Sequence, residues 1–139
     1  MKKYSLILLT ALSVLFSCKK DHTAPAPANV TGMWKGTTAL YFAPYININL
    51  RSNGTARIFK SIDAITDTNS TNVTISEGTY QVKGDTIQAN FPTAITFFMG
   101  LSFQAAISTE KNSMNGTVHD LESEYGGTPG FWGSFTLSK

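Results

Sequence analysis

The chain has 139 residues, of which 42% are hydrophobic and only 14% are charged. This length suits one domain with a buried core, and the charged fraction lies below the roughly 25% usual in soluble domains. The chain has 11 basic side chains and nine acidic ones. Two of the basic ones, Lys2 and Lys3, lie in a segment that we expect to be cleaved, which leaves nine of each sign. A neutral chain without a basic run lacks the electrostatic signature of nucleic-acid binding.

The first 17 residues predict a secretory signal peptide that is removed. Met1-Lys2-Lys3 is basic and residues 4–16 are almost wholly apolar, which is the layout of such a signal. The apolar run is shorter than the roughly 20 residues that a permanent membrane-spanning helix needs. It ends in Leu15-Phe16-Ser17-Cys18, which resembles the lipobox of bacterial lipoproteins. The resemblance implies cleavage before Cys18 and lipidation of its thiol.

Such an anchor predicts a protein of the bacterial cell envelope, held on a membrane by the lipid on Cys18 and either facing the periplasm or lying on the outer membrane. The alternative is an ordinary signal peptide with an incidental cysteine. Residues 18–29 are expected to form a tether, because alternating Ala and Pro favour an extended spacer. Residues 30–139 are expected to form the folded domain.

Alternation with period two dominates from Gly32 to Lys139, and no long stretch has a helical period. Ile46, Ile48 and Leu50 alternate with polar residues, which predicts a half-buried strand. Asn53-Gly54 then fits a tight hairpin. In the third strand Ile58 and Phe59 lie on opposite parities, so the pattern leaves its inward face open.

The middle of the domain departs twice from simple alternation. Ile75 has odd parity and Tyr80 even parity, and a β-bulge at Gly78 is expected between them. Residues 92–100 fit either a short helix or an irregular strand. From residue 101 the alternation resumes and continues to the end, where Phe131 is expected on the inward face and Trp132 on the opposite face.

Eight short strands separated by turn signals predict an all-β domain, namely a small closed up-and-down antiparallel barrel of about eight strands. Closure also removes the exposed strand edges that favour aggregation. An eight-stranded barrel is either filled by its own side chains or holds one small ligand.

Three short patterns resemble the calycin group, which includes lipocalins and avidins, and above all the small lipid-anchored lipocalin-like domains of bacterial envelopes. They are Gly32-Met33-Trp34 at the start, Gly78 to Asp85 midway, and the aromatic and glycine-rich strand from Phe131 to Lys139. The resemblance implies that Trp34 closes one end of the barrel. The final strand lacks the arginine that packs on this tryptophan in lipocalins, and only Lys139 is near.

The candidate ligand site is the barrel interior, which predicts binding of a small hydrophobic ligand. The residues expected to line it are Trp34, Leu40, Ile48, Leu50, Phe91, Phe103, Met114, Phe131 and Phe135. The alternative is a filled barrel acting as a non-catalytic interaction module, which contacts an envelope protein through its loops or outer face. Tyr41, Tyr45 and Trp132 are the exposed aromatic residues expected to serve such a contact.

An enzyme is not expected. His119 to Glu124 is the only cluster of catalytic residue types, and on a strand His119 faces away from Asp120, because successive side chains alternate. Neither a nucleophile elbow nor a glycine-rich phosphate loop occurs in the sequence. We therefore predict no catalytic residue, no metal site and no cofactor.

Overall fold

The computed structural model describes residues 30–92, 100–120 and 130–139. The signal peptide and tether predicted for residues 1–17 and 18–29, including Cys18, lie outside the described residues. Most of the 92–100 segment, for which a short helix was one alternative, also lies outside them. No α-helix occurs in the described part of the chain.

Eight β-strands follow one another along the chain. They are β1 (Gly32–Thr38), β2 (Tyr45–Leu50), β3 (Thr55–Ser61), β4 (Thr74–Lys83), β5 (Thr86–Phe91), β6 (Leu101–Ile107), β7 (Ser113–Asp120) and β8 (Phe131–Ser138). Each strand pairs antiparallel with the next, and β8 returns to pair with β1. The predicted all-β, closed, eight-stranded up-and-down barrel is therefore confirmed.

The seam between β1 and β8 depends on a glycine. Gly36 lies opposite Leu137 in the register of this pair. The carbonyl oxygen of Thr136 approaches so closely that a Cβ atom at position 36 would overlap it. Any larger residue at this position would force the two strands apart, so Gly36 allows the barrel to close.

The inward face of most strands follows the hydrophobic alternation. On β2, Ile46, Ile48 and Leu50 point inward and are buried, as predicted. β5 and β6 continue the same pattern with Ile87, Phe91 and Phe103. Because successive side chains of a strand alternate between its faces, these residues meet in a single core inside the barrel.

The β-bulge predicted at Gly78 is wrong. The register between β3 and β4 runs without a shift from the Thr55–Thr79 pair to the Lys60–Thr74 pair. Ser76 therefore points inward and is buried, whereas Ile75 lies on the outer wall with 46% of its surface exposed. The hydrophobic pattern predicted the wrong inward face for the start of β4, because the inward residues there are polar.

The inward position predicted for Phe131 is also wrong. A register shift occurs between Val118 and His119, so that Val118 faces Gly133 and His119 faces Phe131. The shift takes one extra residue of β8 out of the pairing and moves Phe131 to the outer face. Its side chain is 66% exposed.

Candidate functional site

The two ends of the barrel differ in how their strands are connected. Short hairpins at 51–54, 84–85 and 108–112 lie at one end, which we call the hairpin end. The longer segments 39–44, 62–73, 92–100 and 121–130 join strands at the other, which we call the loop end. Because successive strands run in opposite directions, their connections alternate between the two ends of the barrel. The four longer segments are every second connection, so they all lie at the loop end. A ligand or partner that needs variable loops therefore meets the loop end.

Trp34 seals the hairpin end. Its side chain is 0% exposed, and its Nε1 donates a hydrogen bond to the carbonyl oxygen of Val30 at 2.8 Å. The Nζ of Lys139 lies over the ring, 5.6 Å from its centroid, which is within the range of a cation–π interaction. Lys139, which follows the last residue of β8, thus places a cation over the tryptophan ring.

The hairpins at this end are also tied to one another. The hydroxyl of Tyr80 donates to the carbonyl oxygen of Arg51 at 2.8 Å, and the backbone N–H of Tyr80 donates to Gly54 at 2.8 Å. The N–H of Ile107 donates to the carbonyl of Asp85 at 2.7 Å. These bonds between neighbouring turns hold the hairpin end closed.

Eight of the nine side chains predicted to line a ligand site are buried in the core. The eight are Trp34, Leu40, Ile48, Leu50, Phe91, Phe103, Met114 and Phe135. Leu40 does not come from β1, which ends at Thr38, but from the segment that follows it. Phe131 is the exception, because it lies on the outer face.

Three aromatic rings pack against one another inside the barrel. The ring of Phe103 packs edge-on against Phe91, with centroids 5.6 Å apart, and against Phe135, with centroids 5.3 Å apart. None of these three side chains is more than 4% exposed. Side chains around an open cavity would keep accessible surface facing it, so these rings fill the barrel at their level, as expected of a close-packed protein interior.

Lys60 is the residue that sequence reasoning missed. It is the sixth residue of β3, near the loop end, and it shares the inward face with Ala56 and Ile58. Its side chain is only 5% exposed. Phe59, the apolar neighbour, lies on the opposite face of β3 and is itself buried, with 6% of its surface exposed. The signal for this placement was present in Ile58, because an inward Ile58 requires Lys60 also to point inward.

Among the residues that the structure describes, none accepts a hydrogen bond from Lys60 Nζ, and no carboxylate forms a salt bridge with it. Every fully enclosed side-chain nitrogen of these residues has a hydrogen-bond partner. Because Lys60 Nζ has none within the described ranges, it must keep some contact with solvent. Burial lowers the pKa of Lys60 from 10.5 to about 8, because an apolar environment disfavours the charged form. By contrast, Arg51 and Arg57 on the outer wall both pair with Glu77.

Exposed apolar side chains collect at the loop end. In the described ranges, the large hydrophobic residues that stay exposed are Tyr41, Tyr45, Ile62, Ile75, Phe131 and Trp132. All six lie in the loop-end segments or in the first two residues of strands that begin there. The exposure predicted for Tyr41, Tyr45 and Trp132 is confirmed. We call these six residues the apolar rim.

Of the cluster from His119 to Glu124, residues 121–124 lie outside the described residues. His119 Nε2 lies 2.9 Å from the hydroxyl of Thr117, and its ring packs against Phe131 on the outer face. No group of three or more His, Cys, Asp or Glu residues that could hold a metal ion occurs in the described part of the chain. Within the same residues, no helix is both long and apolar enough to cross a bilayer.

Comparison of this chain with protein-family models, with curated proteins and with solved structures finds no match.

Proposed function

We propose that this chain is a lipid-anchored lipoprotein of the bacterial cell envelope whose lipocalin-like barrel acts as a non-catalytic interaction module. The anchor is supported by Leu15-Phe16-Ser17-Cys18 after an apolar segment. The lipocalin-like character is supported by Gly32-Met33-Trp34 at the start of a closed barrel that Trp34 seals at one end.

The anchor is tested by metabolic labelling with an alkyne-tagged fatty acid in the native host. The wild-type chain is expected to take up the label, and Cys18→Ser is expected to lose it, because only the thiol can receive the diacylglyceryl group. Ser17→Ala, which keeps a small residue before the cysteine, serves as the control and should retain the label. Labelling of the Cys18→Ser variant would contradict lipidation at this site.

The observation that carries the interaction role is the contrast between the two ends of the barrel. The packed rings inside the barrel leave almost no accessible surface, while the apolar rim exposes six large hydrophobic side chains at the loop end. Clustered exposed apolar residues, aromatic ones in particular, are typical of protein interfaces. The chain enters the domain at the hairpin end, so a lipid on Cys18 leaves the rim free to face an envelope protein partner.

Site-specific photo-crosslinking tests the rim. A benzophenone amino acid at Tyr41 or Phe131, which are 87% and 66% exposed, is expected to give one discrete adduct with an envelope protein in intact cells. The same probe at Gln88 or Gln104, both exposed on the outer wall, is the matched control. Equal adducts from wall and rim, or none from the rim, would contradict the proposal.

A second candidate function, the binding of a small hydrophobic ligand, is favoured by one observation. Lys60, which has no partner among the described residues, places a cation inside a barrel whose core is mostly apolar. Because Lys60 lies near the loop end, a ligand that reaches it is expected to enter from that end.

A further inference from the structure

We propose that the loop end of the barrel contains a binding site for the carboxylate of a small amphipathic acid, with the Lys60 ammonium group as its partner. This inference rests on the second candidate function, and it adds the chemical class of the ligand and the residue that recognises it. It does not depend on the protein contact proposed for the apolar rim.

The first argument is that the buried charge of Lys60 has no compensating partner among the described residues. An enclosed charge is costly unless an opposite charge or hydrogen bonds compensate it. Lys60 is 95% buried, and the described residues supply neither an acceptor nor a carboxylate. An anion that reaches Nζ would form a charge-assisted hydrogen bond and offset this cost.

The second argument is the chemistry of the groups around Lys60. The inward neighbours in register are Ile46 on β2 and Thr74 on β4, and the next inward residue of β4 is Ser76. Among the described residues, the site thus combines one cation, two hydroxyl-bearing residues and an apolar wall, without a second cation. A single cation matches the one negative charge of a carboxylate better than the two charges of a phosphate monoester.

The third argument concerns the apolar part of the acid. The packed rings of Phe91, Phe103 and Phe135 leave almost no accessible surface around them inside the barrel. The apolar rim offers hydrophobic surface at the same end as Lys60. The hydrocarbon part is therefore expected to remain at the loop end, and an eight-carbon chain is a suitable probe.

Calorimetric titration of the processed, lipidated protein in nanodiscs tests the site, with empty nanodiscs as the reference. Octanoate is expected to bind, while octanol and octylamine, which have the same chain without a negative charge, are expected to bind at least about tenfold more weakly. Lys60→Met is expected to lose the preference for octanoate. Lys60→Arg, which keeps the cation, should retain it, and so should Lys83→Met, which removes an exposed lysine.

Thermal unfolding of each variant establishes that it is folded before the titration is interpreted. Equal binding of octanoate and octanol, or undiminished octanoate binding by folded Lys60→Met, would overturn the proposal. A third outcome, in which no acid binds but Lys60→Met abolishes the photo-adduct of the rim, would also overturn it. Lys60 would then belong to the protein contact, and the main proposed function would stand.

Discussion

Replacing Trp34 with alanine is expected to lower the free energy of unfolding by about 3 to 5 kcal/mol, the range found for removing large aromatic side chains from protein cores. Trp34 is fully buried, so its loss leaves a cavity at the hairpin end. The change also leaves the carbonyl oxygen of Val30 without its donor and removes the ring beneath Lys139. Urea unfolding followed by circular dichroism measures the difference.

Trp132→Ala is the matched control, because it removes the same side chain from an exposed position. Trp132 is 38% exposed and packs edge-on against Phe42, so a loss of no more than about 1 kcal/mol is expected. Similar losses for the two variants would mean that Trp34 does not seal the barrel.

Replacing Lys60 with methionine is expected to stabilise the protein at pH 7 by up to roughly 3 kcal/mol. Methionine has a similar length but carries no charge that must be held out of water. The variant that is expected to lose carboxylate binding is therefore expected to fold more tightly than the wild type. A gain of stability on removing Lys60 would indicate that this lysine is retained for a purpose other than folding.

The pH dependence of stability provides an independent check. Burial lowers the pKa of Lys60 in the folded protein to about 8, whereas the unfolded chain keeps 10.5. Between these values the unfolded state binds more protons at this side chain, so the wild type gains stability as the pH rises from 8 to 10.5. Below pH 8 both states are protonated, and the cost of enclosing the charge is present in full.

The wild type and Lys60→Met are therefore expected to differ most at pH 7 and to converge toward pH 10.5. The tyrosines and the other lysines titrate in both proteins, so their contributions cancel in the comparison. Lys83→Met, which removes an exposed lysine, should follow the wild-type curve. Parallel curves for the wild type and Lys60→Met would show that Lys60 is not enclosed in the folded protein.

The strands were predictable wherever the inward residues are all apolar. Ile46, Ile48 and Leu50 alternate with polar residues, and burial of one face is enough to fix such a strand. Asn53-Gly54 marked a turn for a local reason, since Gly54 adopts a positive φ of 81°. Trp34 was expected at the closed end from the resemblance to calycins, and its burial agrees with that expectation.

The candidate site was not predictable, because there the hydrophobic pattern and the inward face diverge. Lys60 and Ser76 point inward, whereas their apolar neighbours Phe59 and Ile75 point outward. A choice by hydrophobicity alone selects the wrong residue of each pair. The inward position predicted for Phe131 was wrong for a related reason, because the register shift between Val118 and His119 moves its side chain to the outer face.

By itself, the sequence determined the all-β class and the approximate number of strands, because alternation and turn residues act over a few neighbouring positions. The closure of the barrel was also predicted, but it depends on the pairing of β8 with β1. Only the tertiary structure decided which residues meet inside the loop end. The face of a strand is set jointly with its two neighbours through the register, and pairing Ile58 with Ile48 turns Lys60 inward whatever its own polarity. The cation inside the barrel is thus a consequence of strand pairing, because the local pattern left open whether Ile58 or Phe59 points inward.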